Sequence, residues 1–258
     1  MKKQKQTFAT LMKDFEYRYD VRTVFDDFLT LSICACSQNS QTGISYYEDL
    51  FLQTMIRYLD DPFMHNFPKM FAQMICEMEC RVRSDTGNDV LGEFYEQHLY
   101  RKGASQYFTP WPMCTLLAKS TIDIVDIHAT REPIRILDPS CGSGRMLLAT
   151  ALENGPDHSY YGIDIDETCV KMTALNMFLN GIFHSEVMCG DALSPDDFRV
   201  SYKISFLPFG IFRVDEKEQS YLWTLHKNSF RKVEVASKCP SMVFQGKTLL
   251  KGSQLKLF

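Results

Sequence analysis

Several kinds of feature are missing from this 258-residue chain, and each absence excludes something. It has no run of about eighteen apolar residues, so a membrane-spanning helix is not expected. The basic start Met1-Lys2-Lys3-Gln4-Lys5 is not followed by an apolar core. Lys13, Asp14, Glu16 and Arg18 interrupt Thr7–Asp20, which argues against a signal peptide. The nine cysteines are scattered. The close pairs are Cys34/Cys36 and Cys76/Cys80; neither is C-x-x-C, and no His-x-x-x-His partners them. No metal site is therefore expected, and reduced thiols in a cytoplasmic protein are. A global basic field for nucleic acid is also missing, because the net charge is -4. The charge is uneven: from Arg213 onward nine Lys/Arg stand against four acids, a local excess of +5, leaving -9 for the rest. Such a tail could follow phosphates or could be a solvated surface. Neither repeats nor low-complexity segments occur. The 45% hydrophobic content fits one or two globular domains.

The most informative stretch present is Arg135-Ile136-Leu137-Asp138-Pro139-Ser140-Cys141-Gly142-Ser143-Gly144-Arg145-Met146-Leu147-Leu148. A short apolar run ends in an acid, a turn with two glycines follows, and then an apolar-periodic segment begins. This predicts strand, tight loop and helix, the arrangement that brings backbone close to an adenosine-type ligand at a helix N-terminus. About twenty residues past Gly144, Asp164 ends a second apolar strand, Tyr160–Asp164. That is roughly the offset at which an acid on the next strand meets a ribose hydroxyl. Leu147 stands where a dinucleotide fingerprint would place its third glycine, and no G-K-[ST] follows the loop. A nicotinamide oxidoreductase and a P-loop nucleotidase are thereby disfavoured.

Asp138–Gly144 resembles the first motif of S-adenosylmethionine-dependent methyltransferases, specifically the amino-group DNA methylases. Upstream, Gly103-Ala104-Ser105-Gln106-Tyr107-Phe108-Thr109-Pro110 is similar to the element preceding that motif in the methylation (M) subunits of type I restriction–modification systems. Downstream, Gly190-Asp191-Ala192-Leu193 resembles the family's third motif. The matches run in family order from about Asp89 to Gly210. The resemblance implies that Gln106, Tyr107, Phe108 and Thr109 close over the methionine end of the cofactor. It implies that Asp138 and the backbone of Ser140, Cys141, Gly142 and Gly144 hold the amino-acid moiety and ribose. Asp164 would accept from the ribose hydroxyls, Ile165 would pack on adenine, and Asp191 would accept the adenine amino group. Acids at strand ends also serve simply as helix caps, and Gly-Asp is a common turn pair, so those roles stay open.

Amino-methylating enzymes of this family carry [DNS]-P-P-[YFW] after the fourth strand. The amine's lone pair is delocalised into the ring. Two acceptors on its hydrogens make the nitrogen nucleophilic, and the aromatic residue stacks on the flipped base. The matching stretch here is Phe206-Leu207-Pro208-Phe209. Pro208 and Phe209 fit. Phe206 replaces the side-chain acceptor, and a phenyl ring accepts no hydrogen bond; Leu207 replaces the first proline. Losing one preorganised polar group costs about a hundredfold to a thousandfold in rate. The expectation is a chain that binds the cofactor but methylates DNA weakly or not at all. Phe206–Phe209 could equally be a buried strand end.

The fold class expected is α/β: a Rossmann-like methyltransferase sheet over residues 101–258, preceded by an all-helical domain over residues 1–100. Apolar spacings of three, four and seven mark Phe8–Tyr19, Val21–Cys36, Ser45–Leu59, Phe67–Val82 and Asp89–Tyr100 as helices. Beyond Thr115 helix and strand alternate: helix Thr115–Ile127, strand Ile134–Asp138, helix Ser143–Glu153, strand Ser159–Asp164, helix Glu167–Asn180, then strands Glu186–Cys189 and Lys203–Leu207. That alternation predicts a parallel sheet covered on both faces. After Gly210 only 48 residues remain, so a shortened or altered sheet edge is expected, with Val233–Val235, Ser241–Phe244 and Leu255–Phe258 as short strands. A target-recognition domain has no room, so DNA recognition would fall to a separate specificity subunit. Three functional readings follow: a DNA adenine-N6 methyltransferase of the restriction–modification type, a non-catalytic cofactor-binding interaction subunit, or a methyltransferase of RNA or protein glutamine. The helical start and the Gln106–Pro110 element favour the DNA family over the third.

Overall fold

The computed structural model describes residues 6–39, 41–82, 87–99, 107–124, 133–194, 196–237 and 256–257. Among these residues the helices α1 Phe8–Lys13, α2 Val21–Ala35, α3 Glu48–Ile56, α4 Asn66–Val82, α5 Val90–Phe94, which runs into a π-turn at Tyr95–Leu99, and α6 Trp111–Ile124 come first. The sheet region follows as β1 Arg135–Asp138, α7 Arg145–Asn154, β2 Ser159–Asp164, α8 Glu167–Leu179, β3 Ser185–Cys189, β4 Val200–Ser205, β5 Gly210–Val214, α9 Tyr221–Ser237 and β6 Lys256–Leu257. The first helix is shorter than its periodicity suggests. It ends at Lys13, and Phe15 reaches the core from the turns beyond.

The strand order is β5-β4-β3-β2-β1-β6. β1, β2, β3 and β6 run parallel. β4 runs antiparallel to β3, and β5 antiparallel to β4. The sheet is therefore mixed, where the sequence suggested a parallel one. The reason is connection length. A parallel crossover needs about a dozen residues or more, which α7 and α8 supply; only residues 190–199 join β3 to β4, and the chain turns back. The expected strand Lys203–Leu207 ends at Ser205, and Val233–Val235 lies inside α9. Ser241–Phe244 lies outside the described residues; of Leu255–Phe258, Lys256 and Leu257 pair with β1.

Strand residues alternate between two cores. Ile136, Tyr160 and Val187 join the cluster that includes α7, α8 and the N-terminal helices. Leu137, Tyr161, Ile163 and Met188 face Leu222 and Trp223 of α9 on the other side. α8 is buried all round from Cys169 to Phe178, as a helix clamped between a sheet and a helical layer must be. Its polar residues are partnered there. Lys171 pairs with Asp26 of α2, and Thr173 and Asn176 reach the glycine loop.

The edge strand β5 is covered by the connection after α2. The Ser37 hydroxyl donates to the Ile211 carbonyl, and the Tyr47 hydroxyl accepts the Arg213 N–H at 2.6 Å. A capped edge leaves no open ladder for another chain.

Candidate functional site

The parallel strands deliver three acids to one end of the sheet. Asp138 closes β1, Asp164 closes β2, and Asp191 follows β3. Ligands of open α/β sheets sit at this carboxyl end. The loop between β1 and α7 is pinned by its own backbone. Ser140 N–H donates to Asp138 Oδ1 at 3.1 Å, Cys141 N–H to the Ile163 carbonyl at 2.9 Å, and Gly142 N–H to Asp164 Oδ2 at 2.8 Å. Gly142 and Gly144 have φ of 56° and 85°, a left-handed backbone that glycine adopts without strain. Gly142 is needed for a second reason: a Cβ there would lie 2.8 Å from the Phe108 ring.

A cleft of about 760 Å³ opens beside this loop. Of the residues expected to bind a cofactor, it gathers Tyr107, Phe108, Thr109, Asp138, Ser140, Cys141, Gly142, Asp164, Ile165 and Asp191. Gly144 lies one step behind the lining as the N-cap of α7. Gln106 lies outside the described residues. The cleft is also lined by Ser143 and Leu193 from within the two motifs, and by Arg145, Met146 and Cys169, to which the sequence assigned no binding role. The Asp191 loop is held in place from α9, where His226 Nε2 lies 2.8 Å from the Ala192 carbonyl oxygen.

The acids are poised unequally. Burial pushes Asp138 up to about 6; the Ser140 N–H opposes that rise, and the Asp164 charge adds to it. Burial also raises Asp164, against the N–H groups of Asp166 and Gly142. Among the described residues no cationic side chain pairs with Asp138, Asp164 or Asp191. A carboxylate has about four acceptor positions. Each of these therefore keeps capacity facing the cleft after its backbone bonds are made.

Phe206, Leu207, Pro208 and Phe209 are not at this end. Cys189 pairs with Val200 and Ser185 with Ile204, so β4 starts beside the cleft and runs away from it. At about 3.3 Å per residue its far end lies roughly 15 Å away. The four residues form the β4–β5 turn at the opposite end of the sheet, with Phe206, Leu207 and Phe209 53%, 82% and 54% exposed. Phe206 and Phe209 pack on Phe183 at centroid distances of 5.5 and 5.7 Å. The correspondence with a catalytic motif, and the reading as a buried strand end, are both corrected by strand direction and exposure. Nor does any Pro-Pro pair occur in the chain.

Residues 86–230 match the family model described as N-6 DNA Methylase, more than half of the chain. The chain belongs to the N-6 DNA methylase family. Nocamycin O-methyltransferase from Saccharothrix syringae is 31% identical to it over 97 residues, covering 38% of this chain and 31% of that one. The type I restriction–modification methyltransferase subunit from Streptococcus thermophilus is similar to 74% of this chain and 60% of its own, with 14% identity and a TM-score of 0.38. The chain thus spans about a third of this curated relative and 60% of that structure. The family model, not these pairwise likenesses, carries the assignment. No helix among the described residues of this N-6 DNA methylase family member is long and apolar enough to cross a membrane, and no cluster of metal-binding side chains occurs among them.

Proposed function

We propose that the chain holds S-adenosylmethionine for an N6-adenine DNA methyltransferase of the type I modification kind. The observation that carries this reading is the cleft, where Asp138, Asp164 and Asp191, which pair with no cationic side chain among the described residues, flank a pinned glycine loop. The fit is chemical. The cleft volume of about 760 Å³ lies within the range of small-ligand sites. A ligand bearing an ammonium and a sulfonium complements the buried carboxylate of Asp138 and the half-buried carboxylates of Asp164 and Asp191, which have no counter-charge among the described residues.

When bound, the cofactor supplies a methyl group on positively charged sulfur. This chain's residues would orient it. Asp138 and the loop Ser140–Gly144 take the amino-acid end and ribose, with Phe108 and Thr109 over the methionine. Asp164 accepts from ribose hydroxyls, Ile165 covers adenine, and Asp191 accepts the adenine amino group. In this reading residues 1–100 brace the site and residues 101–258 carry the methyltransferase sheet.

The acceptor side has a different status. The 206–209 turn is at the wrong end of the sheet, and the chain holds no Asn/Asp-Pro-Pro-aromatic element. The two acceptors that activate the adenine amine would come from another segment or subunit, and target recognition from a separate specificity subunit. The isolated 258 residues are then expected to bind the cofactor and to transfer no methyl group to DNA. The same observation favours a second reading, a cofactor-binding interaction subunit without chemistry of its own. Calorimetric titration with S-adenosylmethionine, beside an Asp164→Ala control, tests the shared part. Binding that the control weakens about a hundredfold supports it, and no binding by the unaltered chain overturns it. Labelled methyl transfer to adenine-containing DNA tests the remainder: normal turnover by the purified chain would refute an absent acceptor set.

A further inference from the structure

One buried carboxylate ties the N-terminal helices to the cofactor loop. Asp89, 4% exposed, is the N-cap of α5 and accepts the Gly92 N–H at 2.8 Å. The same carboxylate accepts the Ser143 hydroxyl at 2.5 Å, Arg145 Nε at 2.6 Å and Asn176 Nδ2 at 2.9 Å. Four donors from α5, the glycine loop, α7 and α8 meet on one acid. A helix cap needs only the first of these. Charge-assisted bonds to an arginine in so dry a place are among the strong ones.

Arg145 carries the connection onward. Its other arm donates to Glu96 at 2.7 Å, in the π-turn that continues α5. Its guanidinium lies over the Phe108 ring, 5.4 Å from the centroid. Phe108 is packed against Gly142 and lies 5.6 Å from Tyr95. Phe108, Gly142, Ser143 and Arg145 all line the cleft. The chain of contacts therefore runs from Asp89 and Glu96, through Arg145, to the ring that sits on the loop whose Gly142 N–H is fixed to Asp164.

We infer that Asp89 is a positioning residue for cofactor binding. Through Arg145 it holds Phe108 down on the glycine loop, with Glu96 as the second anchor. The effect on affinity rests on the cofactor reading above; the effect on the loop does not. Asp89→Asn nearly preserves shape but presents an amide N–H where Arg145 and Ser143 need an acceptor.

The test is a double-mutant cycle in S-adenosylmethionine affinity, using Asp89→Asn, Phe108→Ala and the pair, with hydrogen exchange followed on the ligand-free proteins. Asp89→Asn alone is expected to weaken binding tenfold or more, and by less than twofold once Phe108 is alanine. Exchange at Cys141, Gly142 and Gly144 should accelerate in Asp89→Asn while β3 amides stay protected. Effects that multiply independently, or an unchanged loop, would overturn the proposal. A purely structural role would lower the melting temperature without the non-additivity. If Asp89→Asn does not fold, Glu96→Gln takes its place: its carboxylate is 37% exposed, and it should give a smaller loss with the same dependence on Phe108. Failure of the unaltered chain to bind S-adenosylmethionine overturns the cofactor reading and the affinity role. Loop exchange then still decides the brace, because it is measured without ligand.

Discussion

Buried acids stand at both ends of the sheet, and they differ in what they are given. Glu186, 2% exposed on β3, belongs to the half that runs toward the β4–β5 turn. One of its oxygens accepts the hydroxyls of Ser201 and Ser220, both at 2.6 Å; the other accepts the N–H groups of Tyr221 and Leu222 at 3.1 and 3.2 Å. It caps α9 from a neighbouring strand, and its acceptor capacity is used within the chain. Asp138, Asp164 and Asp191 accept one or two backbone donors each and open onto the cleft. Burial alone does not separate structural acids from ligand-binding ones. Spare acceptor capacity facing a cavity does.

Glu186 carries the largest expected effect. Glu186→Ala leaves two hydroxyls and two helix N–H groups without their acceptor, and each buried orphan costs about 1–3 kcal/mol. A loss of roughly 3 kcal/mol or more in denaturant unfolding is expected, with cofactor affinity of the folded protein unchanged. Asp164→Ala should behave oppositely. Calorimetry should show binding weakened about a hundredfold, equivalent to about 2.7 kcal/mol, while unfolding changes much less. Equal stability losses at the two positions would erase the distinction.

Asp138 gives a smaller, pH-dependent effect. Its pKa near 6 lies above the unfolded carboxylate value because burial disfavours the charge. Its contribution to stability without ligand is thus full below about pH 4 and is lost as pH rises through 6. A cationic ligand reverses the preference, since it selects the ionised form. Affinity should fall by up to about tenfold per pH unit below 6, and binding there should release a proton, visible as a buffer-dependent calorimetric enthalpy. Asp138→Asn should flatten that slope. A slope that survives the substitution assigns the titration to Asp164, which burial raises in the same direction.

What the sequence made legible was local. The strand, loop and helix around Asp138–Gly144 and the acid at Asp164 follow from residue types within thirty positions, and the cleft assembles them. The Asp89 brace was invisible because its partners Ser143, Arg145 and Asn176 lie 54 to 87 residues away, and nothing in their identity announces the meeting. The direction of β4 is an intermediate case. The short connection through residues 190–199 carries the signal for a reversal. The residue types of Pro208 and Phe209 carry no information about strand direction. The alternation in Val233–Val235 covers three residues, too few to interrupt the helix that begins at Tyr221.

The sharpest contrast between the two ends is a change expected to do nothing. Phe206→Asn with Leu207→Pro rewrites the turn as Asn-Pro-Pro-Phe, the residue types that activate an adenine amine. If residue type alone made the site, methyl transfer would rise by a hundredfold or more, the scale of one preorganised polar group. Strand direction places these residues at the end of the sheet away from the cleft, on the Phe183 side of the turn. An acceptor roughly 15 Å from the donor site cannot touch the amine being methylated. The double variant should leave transfer to DNA at the level of the unaltered chain, with S-adenosylmethionine affinity also unchanged. A large gain in labelled methyl transfer would mean that β4 runs parallel to β3 in the active protein and that the turn and the cleft share one end of the sheet.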